Sequence, residues 1–147
     1  MFPTFKKVLS ALALAFIVLS SAVHSHTPEP VPEAEIHRPL AVPDRIVLTW
    51  TDDPATSQAV TWRTAVHPDS ANSAVAELTL ATPHGGYDVI QGMRDSAIVL
   101  PAKSETLETD LGSASYHSVE FKGLLPETLY AYRVGDGVNW SEWFQFR

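Results

Sequence analysis

The sequence predicts an all-β protein, an antiparallel β-sandwich of about seven strands that follows a signal peptide and a proline-rich linker. Short segments alternate between apolar and polar residues with a period of two, which is typical of half-buried strands. Turn-forming Gly, Pro, Asp and Asn separate these segments, and no helical periodicity is evident. The region after the linker, residues 43–147, is long enough to bury one hydrophobic core between two sheets.

Residues 1–25 predict a signal peptide. Lys6 and Lys7 precede the apolar run from Val8 to Leu19, and small residues follow it. Secretory signal peptides share this order, and the run is shorter than the ~20 residues that a membrane span needs. We therefore expect a secreted or periplasmic protein that has no membrane attachment after cleavage. The chain has no cysteine, which predicts neither a disulfide nor a lipid-attachment site.

The next segment, residues 26–42, predicts an extended, semi-rigid linker because it is rich in proline.

The net charge of the chain limits the partners that the domain after the linker can bind. Loss of Lys6 and Lys7 with the signal peptide changes the formal net charge from −7 to −9. An acidic surface argues against binding to nucleic acids or to anionic membranes, both of which require basic patches.

Three strands are predicted in the first half of the sandwich, at Arg45–Thr51, Gln58–Thr64 and Val75–Ala81. Turn chemistry at Asp52-Asp53-Pro54 separates the first strand from the second. The alternation places these apolar residues on the inward faces: Ile46, Leu48, Trp50, Val60, Trp62, Ala76, Leu78 and Leu80. Trp62 is thus expected to be a structural core residue, and Trp50 is assigned to the core with it.

The centre of the domain alternates less clearly. Residues 83–86 break the third strand, and Val89–Ile90 and Ala97–Leu100 predict one or two shorter strands. Residues 103–115 are mostly polar and receive no assignment. Tyr116–Lys122 predicts a further strand, with an inward face that carries His117, Val119 and Phe121. We expect His117 to be partly buried and hydrogen-bonded.

The final stretch of the chain predicts a strand, a tight hairpin and a returning strand. Leu129–Val134 alternates, Gly135-Asp136-Gly137 tolerates the positive φ of a hairpin, and Trp143–Phe146 returns. Tyr130 follows Leu124-Leu125-Pro126-Glu127-Thr128, and a buried Tyr at this position can bond its hydroxyl to an upstream backbone carbonyl. This tyrosine corner, a feature of immunoglobulin-like sandwiches, makes Tyr130 a second expected structural residue.

Both ends of the sandwich resemble a known family. The run LLPETLYAYRV, residues 124–134, resembles the closing half of fibronectin type III domains. Residues 43–64 and 116–147 resemble the start and the end of the N-terminal domain of bacterial purple acid phosphatases. The resemblance implies an immunoglobulin- or fibronectin type III-like sandwich over residues 43–147.

The resemblance also implies a function. In that family the sandwich precedes a metallophosphoesterase domain, which hydrolyses phosphate monoesters at a binuclear metal centre of Fe with Fe, Zn or Mn. We therefore expect a non-catalytic accessory domain of a secreted acid phosphatase. Its expected partner is the downstream metallophosphoesterase domain, and no cofactor is expected in this chain.

The sequence predicts no catalytic residue and no metal ligand of its own. The family binds its metals through the motifs D-x-G, G-D-x-x-Y, G-N-H-[DE] and G-H-x-H. Asp110-Leu111-Gly112 matches the first, Gly135-Asp136 begins the second with Asn139 in place of tyrosine, and no G-N-H occurs. The histidines are scattered, and the chain contains neither G-x-S-x-G nor a glycine-rich phosphate loop.

Trp140 and Trp143 flank the final hairpin. They can belong to the core, stack on sugars or form the contact with a following domain. Aromatic residues are enriched at protein contacts, and the family continues the chain directly after this strand. We therefore favour an interdomain contact for at least one of the two.

Two other functions are kept as alternatives. A fibronectin type III-like sandwich can be a standalone extracellular binding or adhesion module, because a fold alone does not give a function. The remoter alternative is a copper-binding β-sandwich. Cleavage after Ser25 would place His26 at the N-terminus, where its amine and imidazole can bind copper together with a second histidine.

Overall fold

Eight strands in the described part of the chain form two four-stranded sheets, and every pairing within them is antiparallel. The computed structural model describes residues 29–66, 73–82, 84 and 86–147. One sheet has the order β1-β2-β6-β5 and the other has the order β4-β3-β7-β8. The strands are β1 Asp44–Thr49, β2 Ser57–Ala65, β3 Val75–Leu80, β4 Ile98–Pro101, β5 Lys103–Thr109, β6 Gly112–Lys122, β7 Tyr130–Gly135 and β8 Phe144–Phe146.

This architecture confirms the all-β sandwich, with one strand more than the approximate seven. The additional strand is β5, which lies in the polar stretch that received no assignment. The chain leaves one sheet at the end of β4 and enters the other at β5, with only Ala102 between them. The Ala102 amide donates to the Ala74 carbonyl oxygen at 2.9 Å and so ties this crossing to the start of β3.

The hydrophobic core lies between the two sheets. Trp62 of β2 and Phe121 of β6 are its largest fully buried side chains, with exposed fractions of 1% and 0%. The facing sheet contributes Ala76, Leu78, Tyr132 and Val134. Phe121 packs against Tyr132 with ring centroids 5.8 Å apart, so aromatic contacts join the two sheets through the middle of the core.

Two residues assigned to the core by alternation are exposed. Trp50 is 63% exposed and Leu80 is 61% exposed. Alternation continues past the last ladder pair, Thr49 with Ala59, so Trp50 lies in the turn beyond the sheet. Leu80 is the last residue of β3 and has no facing layer over it. The apolar alternation thus predicted correctly which face of β1 and β3 points inward, but it extended the buried part of each strand too far.

A helix occupies the position where Val89–Ile90 was predicted as a strand. The structure contains α1, Glu33–Ile36, and α2, Tyr87–Ser96. Helix α2 lies against β3, buries Met93 and is joined to that strand by a 3.0 Å bond between the Ser96 and Thr79 hydroxyls. Only one α2 side chain is buried, so the apolar periodicity of this segment was too weak to predict a helix.

The described part of the proline-rich segment is not uniformly extended. It contains α1, and the Leu40 carbonyl oxygen accepts a 2.8 Å bond from the Ala65 amide at the end of β2. The predicted signal peptide, residues 1–25, and the copper hypothesis at His26 lie outside the described residues, as does His67. None of the described helices is both long and apolar enough to cross a membrane.

An ion pair between the buried Arg63 and the partly exposed Asp44 closes β1 onto β2. Arg63 is 5% exposed and binds the Asp44 carboxylate through Nε at 2.8 Å and through a terminal nitrogen at 2.5 Å. The hydrogen bond to Asp44 raises the pKa of Arg63 against the opposing effect of burial. The register shifts between Asp44 and Val47, and Arg45 there adopts a φ of 49°. The bulge lets Asp44 stand opposite Arg63 while the strand continues to pair.

The corner before β7 is pinned by Tyr130, although its hydroxyl plays the opposite hydrogen-bonding role from the one predicted. The hydroxyl accepts a 3.0 Å bond from the Leu125 amide instead of donating to a carbonyl oxygen. The ring stacks on Phe146 of β8, with centroids 5.6 Å apart. Gly123 and Glu127 turn the corner with φ values of 69° and 54°. Tyr130 thus links the corner to both final strands.

The two tryptophans of the first strands provide a matched test of the core. We expect Trp62→Ala to lower the free energy of unfolding by ~3–5 kcal/mol, because it removes a large buried side chain. Trp50→Ala should change it by less than about 0.5 kcal/mol, because its side chain is exposed. Urea denaturation of both variants measures this difference. Equal losses in the two variants would contradict the assigned positions.

Candidate functional site

The D-x-G match is an exposed hairpin turn. Thr109 pairs with Gly112, so Asp110 and Leu111 form the two-residue connection between β5 and β6. The Thr109 hydroxyl donates to the Gly112 carbonyl oxygen at 2.8 Å and accepts from the Leu111 amide at 3.2 Å. No group of three or more His, Cys, Asp or Glu that could hold a metal occurs among the residues that the structure describes. Asp110 therefore belongs to a turn, and the described residues place no such metal-binding group around it.

Asp136 organises the hairpin after β7. Its carboxylate accepts from the amides of Val138 and Asn139 at 2.8 and 2.6 Å and from the Asn139 side chain at 2.9 Å. Burial alone would raise the pKa of Asp136, but the hydrogen bonds from Asn139 and the neighbouring amides outweigh it and lower the pKa. Asn139, which stands where the family motif has tyrosine, thus serves to fix this turn.

Ser141 forms the hydrogen bonds with the Val134 backbone that a residue of a neighbouring strand would otherwise form. The Ser141 amide donates to the Val134 carbonyl oxygen at 2.9 Å, and the Ser141 hydroxyl accepts from the Val134 amide at 3.1 Å. The same hydroxyl donates to the Glu142 carbonyl oxygen at 2.8 Å. Ser141 is buried, so these bonds satisfy backbone groups that water does not reach.

Arg133 lies on the outer face of the second sheet, because its neighbours Tyr132 and Val134 belong to the core. Its guanidinium carbon is 4.0 Å from the ring centroid of Trp140 and 5.0 Å from that of Trp143. Its Nε donates to a Glu77 carboxylate oxygen at 2.7 Å. The Arg133 and Glu77 side chains are only 11% and 12% exposed. We call these four residues the arginine stack.

Gly135 allows the arginine stack to form. It is bridged to Trp140 across the hairpin. A Cβ atom at position 135 would collide with the Asn139 carbonyl oxygen and lie 2.8 Å from the Trp140 ring. Glycine is therefore required here for close approach. Gly137, in the same hairpin, has a φ of 91° and supplies the left-handed conformation of the turn.

The structure brings Trp140 and Trp143 together, as two partly buried rings on one arginine. Sequence reasoning placed both beside the hairpin but missed Arg133, Glu77 and Ser141. Glu77 and Arg133 stand directly opposite each other on β3 and β7, although 56 residues separate them in sequence. The sequence does carry one signal for this pair, an Arg and a Glu at polar positions of two alternating strands. The signal predicts an ion pair only when β3 is known to pair with β7.

His117 is a hydrogen-bonded core residue, as its inward position predicted. It is 2% exposed, and its ring centroid lies 5.2 Å from that of Trp62. Its two ring nitrogens bond to the hydroxyls of Thr64 and Ser104, at 2.9 and 2.7 Å. Burial lowers the pKa of His117. With hydroxyl groups on both nitrogens, His117 has the surroundings of a structural residue.

The comparisons with known proteins agree with this architecture. A family model described as purple acid phosphatase, N-terminal domain, matches residues 43–147. The match begins one residue before β1 and contains all eight strands. No curated protein matches the chain.

The buried Ser141 hydroxyl gives a specific prediction. Ser141→Ala should lower the free energy of unfolding by about 1–3 kcal/mol, because the buried Val134 amide loses its acceptor. Ser113→Ala is the matched control, since the Ser113 hydroxyl donates to the carboxylate of the exposed Glu108. Chemical denaturation compares the two variants, and a Ser141→Ala protein as stable as the Ser113→Ala protein would contradict the assignment.

The lowered pKa of His117 predicts a pH dependence of stability. The unfolded chain takes up a proton near the ordinary histidine pKa of about 6.5, whereas the folded chain resists it. Stability should therefore fall as the pH decreases from about 6.5 toward the lower pKa of the folded state. Urea midpoints at pH 7.5, 6.5 and 5 measure this slope. His117→Gln should have a flatter profile, and an unchanged slope would assign the effect to other groups.

Proposed function

Because the chain belongs to the family of purple acid phosphatase N-terminal domains, we propose that it is the non-catalytic accessory domain of a secreted metallophosphoesterase of that kind. The observation that carries the proposal is the family match over all eight strands. In the proposed enzyme, phosphate monoesters are hydrolysed by a separate domain that follows this sandwich. The accessory domain contributes to positioning or shielding that domain.

Three residues of types that can bind metals, Asp110, Asp136 and His117, support a non-catalytic role because a place in the fold accounts for each of them. Asp110 lies in an exposed two-residue turn. The Asp136 carboxylate is used by three hydrogen bonds within its own hairpin. His117 is buried between two hydroxyls and Trp62. A binuclear site needs several ligands that converge on one point. Asp136 and His117 line one cavity, but no group of three or more His, Cys, Asp or Glu that could hold a metal occurs among the described residues.

The metal centre is therefore assigned to the following domain and to none of the described residues of this chain. When bound there, such a centre activates a water molecule and neutralises developing phosphoryl charge. Net charge supports the same division of roles. The formal charge of the chain is −7, and a surface with this sign does not attract phosphate esters by long-range electrostatics.

We assign one contact with the catalytic domain to the outer face of the arginine stack. Trp140 and Trp143 are partly buried, so each ring keeps some accessible surface beside Arg133. The ion pair with Glu77 holds this surface in place before any partner arrives. Arg and Trp are the residues most enriched at the centres of protein contacts, and rigid presentation lowers the entropy cost of binding.

The purified chain should show no phosphatase activity of its own. Turnover of a chromogenic phosphate monoester in excess iron, zinc or manganese should equal that of the metals alone, because no described residues assemble a metal site. Asp110→Ala is the informative variant, since Asp110 stands in the only D-x-G match in the sequence. Metal-dependent turnover that co-purifies with the chain and disappears in Asp110→Ala would contradict the proposal.

The positive test joins the chain, after Arg147, to a metallophosphoesterase domain of a purple acid phosphatase. The fused protein should hydrolyse the same ester, and the sandwich should be more stable to urea than it is alone. A fusion whose two domains unfold independently would show that the sandwich is not an accessory domain of this type of enzyme.

A further inference from the structure

One end of the sandwich contains a preformed notch with a mixed polar and apolar lining. It lies where the corner before β7, the turn between β1 and β2 and the end of β8 meet. The volume of the cavity is about 520 Å³, within the range of sites that hold a ligand or a partner's side chain. Its apolar lining includes Leu124, Leu125, Tyr130 and Phe146, and its polar lining includes Gln58, Glu127 and Arg147.

The walls of the notch are fixed by hydrogen bonds and ring stacking. The Leu124 amide donates to the Thr56 carbonyl oxygen at 2.9 Å, which ties the corner to the β1–β2 turn. The next amide, that of Leu125, donates to the Tyr130 hydroxyl at 3.0 Å. Tyr130 in turn stacks on Phe146 at 5.6 Å. The opening therefore exists in the domain by itself, and a partner does not have to create it.

Large apolar side chains are exposed at this same end. Leu125, on the notch, is 64% exposed, and Trp50, in the β1–β2 turn, is 63% exposed. Leu80 is 61% exposed at the end of β3, where it pairs with Tyr130. Exposed apolar groups that surround a cavity are typical of surfaces that another protein covers.

We propose that this notch is the docking site for the metallophosphoesterase domain, which inserts a side chain into it. The inference rests on the proposed function, since it requires a catalytic domain attached after Arg147. Phe146 and Arg147 line the notch, and the family match extends to residue 147. A domain attached there begins beside the notch, and so short a tether gives the contact a high effective concentration.

This contact is separable from the one assigned to the arginine stack. The notch lies at the end of the sandwich where β7 begins and β8 ends, whereas Trp140 pairs with Gly135 where β7 ends. Val138, in the hairpin at that opposite end, is 85% exposed. A charge introduced at Leu125 therefore tests the notch, and the same charge at Val138 is its matched control.

The test uses the whole chain fused, after Arg147, to the metallophosphoesterase domain of a purple acid phosphatase. Urea denaturation of the fusion and of the unfused chain gives the stabilisation of the sandwich by its neighbour. Leu125→Asp should remove at least about half of the rise in the sandwich midpoint that the fusion gives, because the contact at the arginine stack remains. Val138→Asp should leave that rise unchanged. Amide exchange over residues 124–128 should be at least tenfold slower in the unsubstituted fusion than in the unfused chain.

The outcomes separate this inference from the proposed function. If the fusion stabilises the sandwich and Leu125→Asp keeps that stabilisation, with unchanged exchange over residues 124–128, the notch is not the docking site although the accessory role holds. If the unsubstituted fusion shows no mutual stabilisation, both the accessory role and the notch contact are overturned. Should Leu125→Asp weaken the unfused chain, the exchange measurement on the unsubstituted proteins decides between the two results.

Discussion

The Arg133 guanidinium lies over the Trp140 and Trp143 rings and against the Glu77 carboxylate, and the Arg133 and Glu77 side chains are almost closed to water. Burial of a charge is costly unless it is paired, and here the ion pair and both ring faces supply the compensation. The pairing joins β3 to β7, and the rings belong to the hairpin that leads into β8. One side chain thus holds three consecutive strands of the second sheet together. Two further residues support this arrangement. Gly135 allows the Trp140 ring to approach the backbone closely, and Ser141 forms hydrogen bonds with the Val134 backbone.

The sequence was sufficient for features that depend on local alternation and turn chemistry. It predicted the sandwich, the burial of Phe121 and His117 and the position of the last hairpin. It failed where burial depends on distant residues. Trp50 continues the alternation of β1 but lies beyond the last ladder pair, and α2 covers β3 with a single buried side chain. The arginine stack could not be predicted because Glu77 and Arg133 meet only after β3 pairs with β7.

The same packing supports the accessory role that we propose for the domain. Asp136 and His117 are titratable residues, and their side chains form hydrogen bonds within a turn and within the core, respectively. Large exposed apolar side chains, among them Leu125 and Trp50, lie at the end where β8 finishes, beside the notch. A rigid sandwich with this surface can hold a neighbouring domain in one orientation. That is the physical content of the accessory role that the family membership suggests.

The most direct measurement of the central claim is a double-mutant cycle between Arg133 and Trp140. Urea denaturation of Arg133→Met, Trp140→Leu and the double variant gives the coupling free energy of the pair, because the lost bond to Glu77 is common to both arms. A guanidinium stacked on a partly buried indole predicts a coupling of at least about 1 kcal/mol. Additive effects, within about 0.3 kcal/mol, would show that Arg133 does not hold the final hairpin.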